Sequence, residues 1–475
     1  MAGTFFGLEI ARRGMMAHQR ALDVTGHNLA NASTPGYSRQ QVIINATDPH
    51  SNPSLNSSAS PGQLGTGVEV SKIRRIRDEF LDNNVNRAAA DTAYWEEQIP
   101  FLERVQASIS EPASEGIGKN LTEFFKSWMN LNNTPEDPGT KAAVVEIGDQ
   151  LASLMSSTYN QMDSIQESVV RVHENSKTVY GGQLPVYIDK INSVLVEMRD
   201  LNKSISTAFD LGQQPNDLLD KRDKLMEELS SFGPVQVTYE AVGQSNTAKI
   251  KALRLFGRDV LTEGTEVELV TDGKNLLLEY HGGLDHNSQY NLTYNAYETN
   301  QGGSLLGLEQ ARQDIIGFKE KLNDIAITMR DKIKSVNTEP PTAGHTDFFL
   351  GDLESDSFRV DDTLVNNTTL LDGDKAGDIA NLRDTNISED KPFTFEGYYS
   401  VLVTEVGGAV KAANDMSEGQ AAINKQITAL RDSISGVSVD EELSKMIQYQ
   451  YGFQASARMV NTIDEMLDIV INRLT

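Results

Sequence analysis

Residues 8 to 31 and 440 to 474 each read as one long amphipathic helix, and about four hundred positions separate them. In the first, Leu8, Met15, Leu22 and Leu29 recur every seven residues, the spacing that keeps one apolar seam turned toward a partner helix. In the second, Met446, Phe453, Val460, Leu467, Ile471 and Leu474 follow a 3-4 alternation broken only by Gln450 and Asp464. Long isolated helices gain most of their stability by packing an apolar face on something else. The seams therefore imply assembly with a helical partner, and periodicity alone leaves open whether that partner lies in the same chain or in a neighbour.

The first helix runs into a defined stop. In ALDVTGHNLANASTPGYSRQ (21–40), Pro35 pushes Thr34 out of the helical region and Gly36 supplies the positive φ of a type II turn. Asn28, Asn31 and Ser33 offer short side chains for local backbone groups, so the helix is expected to end near Ala32. Alone, such a stop is a common structural device. Together with EELSKMIQYQYGFQASARMVNTIDEMLDIVINRL (441–474), it closely resembles the terminal signatures of the bacterial flagellar axial proteins of rod, hook and hook–filament junction. The resemblance implies an assembly interface carrying Asn28, Asn31, Pro35, Gly36 and Tyr37 beside the two apolar seams.

Length allows roughly three ordinary domains, and 39% hydrophobic content suffices for real cores. A formal charge of −26 disfavours nucleic acid and anionic membranes as partners. No cysteine is present, which removes disulfides, thiolate zinc sites and thiol nucleophiles together. The start MAGTFFGLEIARRGMM lacks the basic-then-apolar order of a signal peptide, and no stretch reads as a membrane span. The resemblance instead implies export, unfolded and without a cleaved signal peptide, through the flagellar type III channel to the cell exterior.

Along the chain, QVIINA (41–46) reads as a short strand and Ser51 to Gly67 as a Ser/Pro/Gly-rich loop. Periodicity turns helical near Asp78, and Ile99, Leu102, Val105 and Ile109 continue the stripe. Residues 119–210 are strongly helical, and NDLLDKRDKLMEELSSF (216–232) extends them, resembling a segment of the junction branch of the axial family. After Gly233-Pro234, short β-type runs follow, with Asp272-Gly273 as a hairpin signal. Helix resumes over 302–337, again resembling the junction branch, then a mixed stretch covers 345–400 and a last body helix 401–435. The expected fold is mainly α with an inserted β domain. Its terminal helices (1–40 and 437–475) form a coiled coil, an elongated helical bundle (41–233 and 299–436) forms the body, and a small β domain (234–298) faces outward. SVNTEPPTAGHTDFFLG (335–351) is shorter than the corresponding family loop.

No chemistry-bearing constellation stands out. HENSK (173–177) has Lys where a zinc-protease helix needs its second His, and DGDKAGD (372–378) lacks the closing Glu of a calcium loop. GGSLLG (302–307) has no Lys-Ser/Thr after it and reads as a helix entrance. The expectation is a structural protein with no catalytic residues, no metal and no cofactor. The resemblance implies an adaptor joining hook to filament, assembling with itself in a helical ring. It further implies, as partners, the flagellar hook protein, the second junction protein, the filament cap protein and an export chaperone on the C-terminal helix. Two other readings remain: another axial subunit of hook, distal rod or filament, and a secreted hydrolase with a helical stalk.

Overall fold

The computed structural model describes residues 2–49, 65–109, 116–173, 178–242, 245–272, 274–282, 288–295, 302–338, 347–388 and 391–469. Gly273, most of the 51–67 loop, most of HENSK, residues 339–346 of the shortened loop, Ile471 and Leu474 lie outside these residues. Helix α1 (Ala2–Ala30) leads through a turn into β1 (Gln40–Ala46), which pairs antiparallel with β2 (Val68–Arg75). Helix α1 stops two residues before the expected Ala32, because the amides of Asn31 and Ala32 already reach back in tightened, three-residue turns.

Asp78 caps α2 (Glu79–Glu96) by accepting from the amides of Phe80 and Leu81, which explains the change of period at that point. The apolar stripe does continue to Ile109, but on a separate helix, α3 (Ile99–Ile109). Pro100 has no amide hydrogen and its ring would meet the carbonyl of Glu96, so one continuous helix is impossible. Helix α4 (Ile117–Asn133) and α5 (Pro138–Val169) follow, the latter capped by Asp137 with Pro138 at its first turn. A small hairpin, β3 (Arg171–Val172) with β4 (Val179–Gly181), interrupts the helical run before α6 (Gln183–Asp210) and α7 (Asn216–Phe232).

The β segment forms two three-stranded antiparallel sheets. One holds β5 (Val235–Val242), β6 (Ser245–Leu255) and β7 (Arg258–Asp259); the other holds β8 (Glu266–Thr271), β9 (Leu276–His281) and β10 (Ser288–Asn291). QYNLTYNAY does not stay extended: Asn291 accepts from the amide of Tyr294 and starts the helical turn α8 (Leu292–Asn295). Two asparagines of α6 grip the sheets. Asn192 bonds both the amide and the carbonyl of Val267, and Asn202 those of Ile250. Each amide side chain thereby satisfies a backbone amide and carbonyl that no neighbouring strand reaches.

Helix α9 (Ser304–Thr338) enters where GGSLLG was read as an entrance. Gly307 lies so close to α2 that a Cβ there would stand 2.2 Å from the carbonyl oxygen of Tyr94. Strands β11 (Phe349–Leu350) and β12 (Arg359–Val360), α10 (Asp362–Asn366) and α11 (Ala376–Asn381) cover one end of the bundle. Helix α12 (Phe395–Ser435) starts six residues earlier than expected, capped by Thr394 on the amide of Gly397. Its Phe395 packs on Phe125 at 5.7 Å, within an aromatic cluster that includes Phe124, Trp128, Phe348 and Phe349. Helix α13 (Val439–Asp468) closes the described chain.

Burial raises the carboxyl of Asp314, on α9, to a pKa of about 6, with only Gln310 donating to it. The folded chain therefore holds a proton that the unfolded chain releases near 3.8, and stability falls as pH rises from 4 through 6. Asp314→Asn is expected to gain about 2 kcal/mol at pH 8 and nothing below pH 4, read from denaturant melts at the two values.

Candidate assembly surface and its joint to the body

Helices α1 and α13 lie antiparallel along each other, within one chain. Gly7 meets Ile463, Gly14 meets Ser456, His18 meets Gly452 and Asn28 meets Glu442, so numbers rise on one helix as fast as they fall on the other. The terminal helices thus pair with each other as expected, and the partner that periodicity left open lies in the same chain. The pairing also moves the seam. The closest line of α1 on α13 runs through Gly7, Gly14, Ala21 and Asn28, with His18 beside it, one position before the leucine heptad. Leu8, Met15, Leu22 and Leu29 are only partly buried and sit on the flank of the pair.

The reason is close approach. Gly7 and Gly14 would place a Cβ 3.3 Å from Ile463 and 3.1 Å from Ser456, so the axes sit too near for leucine at those positions. On α13, Met446, Phe453, Val460 and Leu467 are partly buried as the 3-4 pattern requires, but the intervening positions are Tyr449, Ser456 and Ile463. Gln450 and Asp464, which seemed to break the pattern, point into solvent.

Below the pair, the turn signature becomes a polar joint. Gly36 has φ +82°, as the turn demands, while Asn31 and Pro35 line an open cleft of about 970 Å³ toward Lys224, Arg431 and Ser438. Asn28 is buried and uses its whole hydrogen-bonding capacity. Its amide nitrogen donates to the Gln40 carbonyl at 2.8 Å and to Glu442 at 2.9 Å; its oxygen accepts from the Tyr37 hydroxyl at 2.8 Å and the Gln40 amide at 2.9 Å. The Tyr37 hydroxyl is held protonated, because burial first, and then the carboxylates of Asp217, Asp220 and Glu442, push its pKa well above the ordinary tyrosine range. Lys445 neutralises the buried Glu442 at 2.8 Å.

The body side of the joint is α7. Ser38 donates from its amide and its hydroxyl to Asp220, and Arg75 bridges Asp220 and Asp223 at 2.7 Å each. Arg77 adds Asp223 at 3.1 Å and Arg222 adds it at 2.9 Å. Gln40 bonds Asp217 and Asn216, while Arg39 pairs with Glu441 of α13. Sequence reading placed none of Arg75, Arg77, Asn216, Asp217, Asp220, Arg222, Asp223 or Glu442 in a site. Two signals were available: arginines two apart at and just past the end of one strand, and acids spaced by three on one helix face.

Two substitutions probe the joint. A side chain at Gly36 has room, its nearest neighbour being Lys224 at 3.8 Å, so only backbone strain of about 1–2 kcal/mol opposes it. Gly36→Val should loosen the joint, seen as faster amide exchange in α1, while Gly36→Asn, which tolerates this conformation, should not. Asn28→Asp removes both donors and sets a second carboxylate against Glu442. It should loosen the terminal pair by about 2–4 kcal/mol, seen as faster amide exchange in α1 and α13 with the body unaltered.

Among the described residues no group of three or more His, Asp or Glu is placed to hold a metal ion, and no helix is long and apolar enough to cross a membrane. What the fold presents is a helix pair made from both chain ends, mounted by a polar joint on a helical bundle, which is the build of a flagellar axial subunit. The chain matches the flagellar hook-associated protein FlgK helical domain over residues 102–343, and so belongs to that family. Residues 431–474 match the C-terminal region of the flagellar basal body rod FlgEFG proteins, and 8–37 match the flagella basal body rod protein. It is 29% identical to flagellar hook-associated protein 1 of Bacillus subtilis strain 168, covering 99% of each chain. It is 22% identical to the Escherichia coli K12 protein of that name, over 97% of this chain and 98% of the other. In fold it resembles the flagellar hook junction protein FlgK of Burkholderia pseudomallei, with a TM-score of 0.56 and 14% identity over 74% of this chain and all of that one. The chain is thus a structural subunit of the flagellar junction, and it works with other axial components of the flagellum.

Proposed function

We propose that this chain joins hook to filament by laying its terminal helix pair alongside the pairs of neighbouring copies in a helical ring. The observation that carries the reading is how thinly the pair is covered. Along the thirty residues of α13 only Glu442 and Ile463 are buried, and the α1 leucines are only partly covered. A helix so sparsely packed has low local stability, so neighbours at the growing tip supply the burial that completes its folding. The body of 41–233 and 299–436 sets the packing surface, and the β insertion of 234–298 faces away from the tube.

The hook protein lies below in this reading and the second junction protein above, with the cap protein present during growth. Before assembly, the open face of α13 suits an export chaperone that takes an amphipathic helix in a groove, and the chain leaves through the type III channel without cleavage. The role is mechanical and uses no catalytic residue or cofactor. Labelled copies on intact flagella should appear as a narrow band between hook and filament. Continuous labelling along either tube would assign the chain to that tube instead.

A further inference from the structure

The second half of α12 is built the wrong way round for a helix that ends in water. Where it runs along α2, its buried positions are the small or polar Ala413, Ser417 and Ser435. Roughly 100° around the helix, Met416, Ile423, Leu430 and Ile434 are 42, 47, 53 and 38% exposed, with Ile427 between them. Of the charged side chains in this stretch, Lys411, Asp415, Glu418, Lys425 and Asp432 fall on the far side by the same helical step, and Arg431 falls on the buried side, paired with Glu227. A stripe that excludes charge for about 27 Å is not a solvated face. Nothing in the described chain covers it.

We propose that the α12 stripe of one copy seats against the α1 leucine heptad of the next, which deepens the reading that copies assemble through their terminal helices. Three observations select a second copy as occupant. The half-buried heptad Leu8, Met15, Leu22 and Leu29 has the same seven-residue repeat and a matching length of about 32 Å. The β1–β2 hairpin packs on the other flank of α1, through Val42, Ile44, Val70 and Ile73 around Ala21 and Val24, and so leaves the leucines only partly covered. Each copy carries a charge of −26, and an uncharged strip lets copies pack closely without adding local like-charge repulsion. Two different patches on one chain make a heterologous contact, which propagates into a ring or helix and does not close as a pair.

Because the chain has no cysteine, introduced cysteines are the only thiols. Leu22→Cys combined in turn with Ile423→Cys, Ile427→Cys and Leu430→Cys, oxidised in isolated flagella, should give a ladder of multimers beyond the dimer from at least one pair. Leu22→Cys with Glu418→Cys should give none. The proposal is overturned by the absence of a ladder from every stripe pair in flagella that carry the protein, or by equal crosslinking from Glu418→Cys. It is overturned equally if Leu430→Cys alone forms dimers, which would set α12 against α12. As a second measure, Ile423→Lys with Leu430→Lys should leave the free chain's melting temperature within about 2 °C while filament number drops roughly tenfold. Ordinary filaments in that strain would also overturn it. Phe453→Asp with Val460→Asp, run in parallel, tests the terminal-helix reading alone: if that variant assembles normally, the reading fails whatever the α12 crosslinks show.

Discussion

Asp223→Ala is expected to destabilise the body by about 3–5 kcal/mol, the effect of leaving buried cations without their counter-ion. Asp223 stands between Arg75, Arg77 and Arg222, and its side chain is only 10% exposed. Burial alone would raise its pKa, but the three guanidiniums outweigh burial and hold it below the usual carboxylate range. A depressed folded pKa gives stability that is present above 3.8, the unfolded value, and is lost as pH falls below it. The joint should therefore hold through mildly acidic pH and fail under strong acid, and the variant should lose that acid dependence along with its stability. Denaturant melts from pH 7 down to pH 2 would check both parts. A variant as stable as the parent at pH 7 would show that Asp220 alone anchors the arginines.

Phe453→Asp with Val460→Asp should separate the ends from the body. Both side chains lie on the α13 seam that faces α1, and carboxylates there forfeit apolar contact and must be desolvated to keep it, about 2–3 kcal/mol at each position. The terminal pair is thinly packed and should open, seen as complete loss of amide protection in α1 and α13. The main melting transition, which belongs to the aromatic and aliphatic core of the body, should not move. Cells carrying the variant should release filament subunits into the medium and carry almost no filaments. If the secreted amount of the variant itself also falls, the export chaperone uses the same face. A main transition lowered by many degrees would mean that the helix pair is part of the body's core.

Much of this molecule was legible before any coordinates. The change to helical period near Asp78, the turn at Pro35-Gly36, the helix over 216–232 and the change to strand after Pro234 all follow from local chemistry that needs no knowledge of neighbours. Reading failed where a single local rule had two competing outcomes. The stripe through Ile99 has the right period for one helix, yet Pro100 divides it. The run from Gln289 has β-type residues, yet Asn291 bends it into a helical turn. In both places the breaker was present and was outvoted by periodicity.

The joint was hidden for a different reason. His27 to Gln40 and Asn216 to Asp223 were each singled out as resembling flagellar segments, but nothing in either shows that Ser38 bonds Asp220 or that Gln40 bonds Asp217. By itself the sequence determined that both ends are long helices, that a turn follows the first, and that a mostly helical body carries a β insertion, because caps, turns and hydrophobic period act within a few residues. Only the tertiary structure decided which of two adjacent heptads on α1 is the seam. Apolarity favours the leucines, but close packing of helix axes favours Gly7, Gly14 and Ala21, and that preference exists only once a second helix lies alongside. It likewise decided that the large aliphatic residues of α12 face outward, since which side of a helix is inside depends on where its neighbours stand.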